Sequence, residues 1–177
     1  MTAKQVRVVL ADDHPMFREG LRFTLSQSPD ITVVGEAADG EQALSLAQDT
    51  DPDVVLMDLN MPRVDGLTVT RALVEAGSRC HVLVLTMYDD DANVLAAMRA
   101  GAHGYLLKGA GPDQVLSAVC AVADGHAVFG ASLAEQMLGI FQRSAEPSRG
   151  SPVPPGRTPS PSSPPGRRRC SPSSPKD

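Results

Sequence analysis

Asp53-Val54-Val55-Leu56-Met57-Asp58 is the stretch from which the architecture of this chain can be worked out. Its apolar residues run without alternation, are rich in β-branched types, and end on a carboxylate. Such a run predicts a strand covered on both faces, as in a parallel sheet. Pro52 before it and Asn60-Met61-Pro62 after it are breakers that set its ends. A buried parallel strand delivers the residue at its carboxyl end into the crevice where open α/β sheets bind ligands. That residue is Asp58.

The same pattern extends in both directions. Val6 to Ala11 predicts a first strand running into Asp12-Asp13, and Pro15 suits the first turn of a helix carrying Phe17, Leu21 and Leu25 at helical spacing. Ser28-Pro29-Asp30 stops that helix, and Ile31 to Glu36 predicts the second strand. Asp39 with Gln42 reads as an N-cap and its capping-box partner, opening a helix that buries Ala43, Leu44 and Ala47. Beyond Asp58, Gly66 to Ala76 predicts a helix with Leu67, Thr70, Leu73 and Val74 inward, and His81 to Thr86 a fourth strand. Asp89-Asp90-Asp91 opens a helix at the dipole end that favours acids, with Val94, Leu95 and Met98 as its apolar stripe. His103 to Leu107 predicts the fifth strand, an edge position for Tyr105, with Lys108 following. Gly111-Pro112 starts a last helix with Val115, Leu116, Val119 and Val122, ending at Gly125. Five strand–helix alternations with short connections predict a parallel sheet covered on both sides by right-handed crossovers.

Composition divides the chain. Residues 1–125 read as one domain, 126–146 as a linker region with a helix over Leu133 to Phe141, and 147–177 as a tail. The tail holds ten prolines and eight serines in 31 residues with no apolar period, so it cannot bury enough surface to offset chain entropy and is expected to be disordered. The formal charge of −5 splits into −10 over the first 146 residues and +5 beyond. An acidic body is a poor nucleic-acid binder, so DNA binding by this chain is not expected. No stretch approaches the roughly 18 apolar residues of a membrane span, and Met1 to Arg7 does not lead into a signal peptide; a cytoplasmic protein is expected. Cys80, Cys120 and Cys170 are odd in number and widely spaced, which predicts reduced thiols. His14, His81, His103 and His126 lack metal-ligand partners at useful spacing.

In a sheet of this kind the strand ends share one edge. Asp12 and Asp13, Asp58, Thr86 and Lys108 therefore converge. Two unit charges about 4 Å apart repel by about 4 kcal/mol at an effective dielectric of about 20, so three carboxylates in one notch need cations. Lys108 supplies one. A divalent ion with hard oxygen ligands supplies the rest, and Mg²⁺ suits one or two carboxylates plus phosphate oxygens. Such a site can receive a phosphoryl group. Asp58 is the candidate nucleophile, Mg²⁺ is held by Asp13 and Asp58 with Asp12 shaping the site, and Lys108 shares the charge as a point cation. The Thr86 hydroxyl, drawn to the new phosphate, makes room for Tyr105 to turn inward and alters the surface of the fourth and fifth helices.

Four motifs carry a resemblance: DDH at Asp12 to His14, LMDLNMPRVDG from Leu56 to Gly66, LTMYDDD from Leu85 to Asp91, and GYLLK from Gly104 to Lys108. In this order, over about Val6 to Asp124, the chain resembles a two-component response regulator receiver domain, of the subfamily that joins the receiver to a LuxR-type helix-turn-helix. The resemblance implies a doubly wound, five-stranded, flavodoxin-like (β/α)5 fold. It implies Asp58 as phosphoacceptor, Asp12 and Asp13 as the acidic pair, and the backbone carbonyl of Asn60 as a further metal ligand. It also implies Thr86 and Tyr105 as a switch pair and Lys108 as phosphate partner. A sensor histidine kinase as donor and pairing with a second receiver follow.

One departure stands beside the likeness. After Arg143 there is no helical period and no recognition helix. A truncated or frame-shifted DNA-binding regulator is the alternative to a single-domain receiver with an unstructured tail. A phosphatase of the haloacid dehalogenase type also uses a strand-end Asp, but needs a second Asp two residues on as general acid. That position is Asn60, which cannot serve.

Overall fold

The computed structural model describes residues 5–87 and 90–129. Its elements alternate as the hydrophobic pattern demands. They are β1 (Val6–Ala11), α1 (Pro15–Ser26), β2 (Ile31–Ala37), α2 (Gly40–Thr50), β3 (Val54–Met57), α3 (Gly66–Glu75), β4 (His81–Thr86), α4 (Asp91–Ala100), β5 (Gly104–Leu107), α5 (Pro112–Ala123) and β6 (Val128–Phe129). The sheet order is β2-β1-β3-β4-β5-β6, and every neighbouring pair is parallel. The expected doubly wound parallel architecture is present. The two-residue β6 is an addition: the segment after Gly125, which hydropathy places outside the sheet, pairs Val128 with Gly104 and Phe129 with Tyr105. Tyr105 is therefore not on an edge.

The central strand shows how residue type becomes packing. All four residues of β3 are buried. Alternation sends Val54 and Leu56 to the face covered by α1 and α5, with Val8, Leu10, Leu83 and Leu106. Val55 and Met57 go to the opposite face, with Val9, Val84 and residues of α2, α3 and α4. Burying each such side chain contributes about 1.5–3 kcal/mol, so neither face can be left open to water. The strand is shorter than the six-residue stretch that predicted it, because both flanking aspartates have left it. Asp53 accepts the Arg7 N–H at 2.9 Å at the amino edge. Asp58 follows the strand at the carboxyl edge.

Helix ends follow local chemistry. Asp39 caps α2 by accepting the Gln42 N–H at 2.9 Å, and the Gln42 side chain accepts the Ala38 N–H at 3.0 Å. Asp65 caps α3 and Asp90 caps α4 in the same way. In α3, Thr70 and Leu73 are buried and Leu67 partly so, but Val74 is 51% exposed and Val69 lies inside. The helix turns positions 66, 69, 70 and 73 inward, which is one step away from the stripe that hydropathy alone suggested.

No described helix is long and apolar enough to cross a membrane. Cys80 and Cys120 are free thiols. The helix expected over Leu133 to Phe141, the tail from 147, Cys170 and Asp89 lie outside the described residues.

The chain passes from β1 outward to β2, then crosses back to lay β3 on the other side of β1. That reversal leaves a crevice at the carboxyl ends of β1 and β3, since the following connections diverge to opposite faces. Asp12, Asp13 and Asp58 sit there.

Candidate functional site

The backbone ladder sets the site before any side chain does. Asp58 donates its N–H to Ala11 O at 2.8 Å, Asp12 to Ala37 O at 3.1 Å, and Lys108 to Thr86 O at 2.8 Å. These bonds continue the sheet one residue past the strands and hold the polar residues in register.

The Lys108 side chain extends from the end of β5 across β4 to the crevice. Its Nζ lies 2.5 Å from Asp12 Oδ2 and 2.9 Å from Asp58 Oδ2. All three side chains are at most 4% exposed. Burial pushes the Asp58 carboxyl above its ordinary value. The bonds from Lys108 and the Asn60 N–H work against that shift, and the Asp12 charge adds to it. Burial alone would lower the Lys108 ammonium, but Asp12 and Asp58 outweigh it and hold the group above its usual value.

Asp13 stands at the rim, 33% exposed. Its Oδ1 is shielded from water and makes no hydrogen bond, although His14 Nδ1 lies 2.7 Å away. The His14 N–H donates to Asp12 Oδ1 at 2.8 Å. Asp12, Asp13, His14 and Asp58 each offer one ligand atom, all within 4.8 Å of one another. Against three carboxylates there is one ammonium. The deficit of positive charge, with carboxylate oxygens as the donor set, suits a small divalent cation with oxygen ligands. His14 joins this group, contrary to the expectation that no histidine has a ligand partner. The spacing rule looks for helical or paired histidines, and here the partners are the carboxylates immediately before it.

The remaining sequence-predicted residues take distinct places. Asn60 is exposed, and its N–H reaches Asp58 Oδ1 at 3.3 Å. Thr86 is wholly buried at the end of β4. Tyr105 is 2% exposed and belongs to the core on the face of α2, α3 and α4, with Val94 and Ala97. Its ring lies inside that core.

Several contributors were not singled out from the sequence. The Phe17 ring lies 4.7 Å from Lys108 Nζ, a cation–π contact. Arg18 donates to Asp12 O at 2.6 Å. A Cβ on Gly66 would fall 2.1 Å from Asp58 O, so only glycine lets α3 start this close to the loop after β3. A signal for Gly66 exists, since Asp65-Gly66 is a cap followed by the smallest residue. None marks Phe17, whose spacing reads as ordinary core.

Comparison with known proteins agrees with this geometry. The model of the response regulator receiver domain family matches residues 8–120. YxjL of Bacillus subtilis, described as an uncharacterised transcriptional regulatory protein, is 42% identical over 129 residues, 73% of this chain and 59% of that protein. The nitrate/nitrite response regulator NarL of Escherichia coli is 42% identical over 126 residues, 71% of this chain and 58% of that protein. Among solved structures, a two-component response regulator of the LuxR family from Aurantimonas superposes with a TM-score of 0.74 at 34% identity, covering 78% of this chain and 99% of the other. The chain spans less than two thirds of the length of each of these two curated relatives.

Proposed function

The chain belongs to the response regulator receiver domain family, and from that premise we propose that it accepts a phosphoryl group on Asp58 from the histidine of a sensor kinase. The observation that carries the reading is the Lys108 ammonium bridging Asp12 and Asp58 within a buried notch. A cation so held cannot screen a surface charge. It serves a reaction in which negative charge grows at Asp58.

An Asp58 oxygen forms the new O–P bond as the P–N bond to the donor imidazole breaks. The imidazole keeps the electron pair and takes up a proton. Lys108, anchored by Asp12, stays beside the acquired charge. Asp12, Asp13, Asp58 and the Asn60 carbonyl would hold Mg²⁺, with His14 at the rim. Bound there, the ion supplies positive charge to the transferring oxygens. The Thr86 hydroxyl, one strand away, is drawn toward the phosphoryl oxygens. Thr86 and Tyr105 then transmit the change to the surface of α4 and α5. Pairing with a second receiver on that surface, a cytoplasmic setting and a part in regulating transcription, as in the names of YxjL and NarL, complete the proposal. The acidic net charge before residue 147 argues against nucleic acid as the ligand of this region.

Incubation of the full chain with a small phosphodonor and Mg²⁺, followed by intact mass, tests the assignment. One added phosphoryl is expected on wild type and none on Asp58→Ala. Equal labelling of the two contradicts it.

A further inference from the structure

We infer that Arg63 is a positioning residue: it straps the loop between β3 and α3, which carries Asn60, onto the amino end of α2. The inference rests on the cation-binding reading of the notch given above.

Three independent features single out this residue. First, Arg63 has φ 66°, a left-handed conformation that a non-glycine side chain adopts only when its surroundings impose it. Second, its guanidinium reaches Asp39 Oδ2 at 3.2 Å and Glu41 Oε2 at 3.5 Å. Asp39 is 1% exposed and uses its other oxygen to cap α2, so the partner is fixed in place. Arg63 is 59% exposed, so the pair does little for global stability. It does fix the loop, because one end of the bridge cannot move. Third, the loop is pressed against both neighbouring helices. A Cβ on Gly40 would fall 2.1 Å from Val64 O, and one on Gly66 equally close to Asp58 O. The Gly66 N–H closes the loop on Leu59 O at 3.0 Å, and the Val64 N–H bonds Pro62 O at 2.9 Å. Asp58 and Asn60 thus stand on a segment closed at its base by backbone and anchored in the core by Met61 and Val64, and between those two Arg63 ties it to the start of α2. Freeing that tie widens the range of positions open to Asn60 and lowers the fraction of time the ligand set is assembled.

Direction separates this role from a plain charge effect. Removing a cation near an acidic notch tightens divalent binding through space. Loss of the strap weakens it.

The test uses the full chain as Arg63→Gln, Arg63→Lys and Arg63→Gly, the last being at ease with positive φ should Arg63→Gln fold poorly. Amide exchange at Gly66 and Val64 is followed without metal, and Mg²⁺ affinity by calorimetry. In Arg63→Gln and Arg63→Gly, exchange at these amides is expected to rise about fivefold or more, as for a locally opened loop. Mg²⁺ affinity is expected to fall about threefold to fivefold, the range of a partly exposed ion pair. Arg63→Lys stays near wild type in both. Unchanged exchange, or Mg²⁺ affinity in Arg63→Gln that is unchanged or tighter, overturns this inference alone. Absence of Mg²⁺ binding by wild type overturns the proposed function and this inference with it.

Discussion

Replacing Asp58 by asparagine should make the metal-free protein more stable, although it removes the residue on which the proposed function depends. The ligand oxygens of Asp12, Asp13 and Asp58 lie within 4.8 Å of one another. At that separation each like-charge pair costs about 3.5 kcal/mol at an effective dielectric of about 20, so Asp58 meets about 7 kcal/mol of repulsion. Its attraction to Lys108 across 2.9 Å is worth about 6 kcal/mol on the same scale. The two nearly cancel, and burial then tips the balance against the charged form. The upward shift of the Asp58 carboxyl, caused first by burial and in smaller part by the Asp12 charge, points in the same direction. In Asp58→Asn the new amide keeps the shape of the carboxylate without its charge, and Lys108 keeps Asp12. After discounting for the one-third exposure of Asp13, a gain of about 1–2 kcal/mol is expected, or roughly 3–6 °C in melting temperature. Urea unfolding in a chelating buffer measures it. Added Mg²⁺ should then narrow the gap, because it stabilises wild type by mass action and the variant much less. An Asp58→Asn protein less stable than wild type without metal, or an equal response of both to Mg²⁺, would overthrow this electrostatic account.

Two further outcomes follow from the structure. Gly66→Ala places a methyl 2.1 Å from Asp58 O; backbone must move, so a loss of about 2 kcal/mol or more is expected in chemical denaturation, and a change under about 0.5 kcal/mol would show that the helix start has slack. His103 concerns acid stability: burial first, and the His81 ring 4.2 Å away second, lower its proton affinity below the ordinary value of 6.5. The unfolded chain therefore binds the proton more readily, so the stabilisation is complete above that value and is lost as pH falls below it. Unfolding curves between about pH 7 and pH 5 should fall more steeply for wild type than for His103→Gln, and parallel curves would remove His103 as the cause.

Much of the architecture is legible without coordinates, and the reason is the range of the forces involved. The unbroken apolar run at Val54–Met57 can be satisfied only between two layers. The aspartate caps at Asp39 and Asp65 act on amides three residues away. Both are local, so residue type and spacing suffice. The inward face of α3 shows where that stops. Val69 and Val74 are the same residue type in one helix, and only the rotation of the packed helix puts the first inside and leaves the second half in water. Similarly, Val128–Phe129 offers too short a pattern to announce a strand, and pairs because Gly104 and Tyr105 present an open edge.

Residue order was enough to indicate that five strands end on one edge of the sheet and that Asp12, Asp58, Thr86 and Lys108 come at the ends of four of them. It was enough because strand register and burial follow from apolar order along the chain. Which charges touch was settled only by folding in three dimensions. Lys108 reaches across a strand to Asp12 and Asp58, residues 96 and 50 positions earlier. Arg63 turns left-handed to meet Asp39, Phe17 comes over the ammonium, and Tyr105 lies inside. Electrostatic and packing energies depend on separation in space, and separation in space is a property of the folded chain.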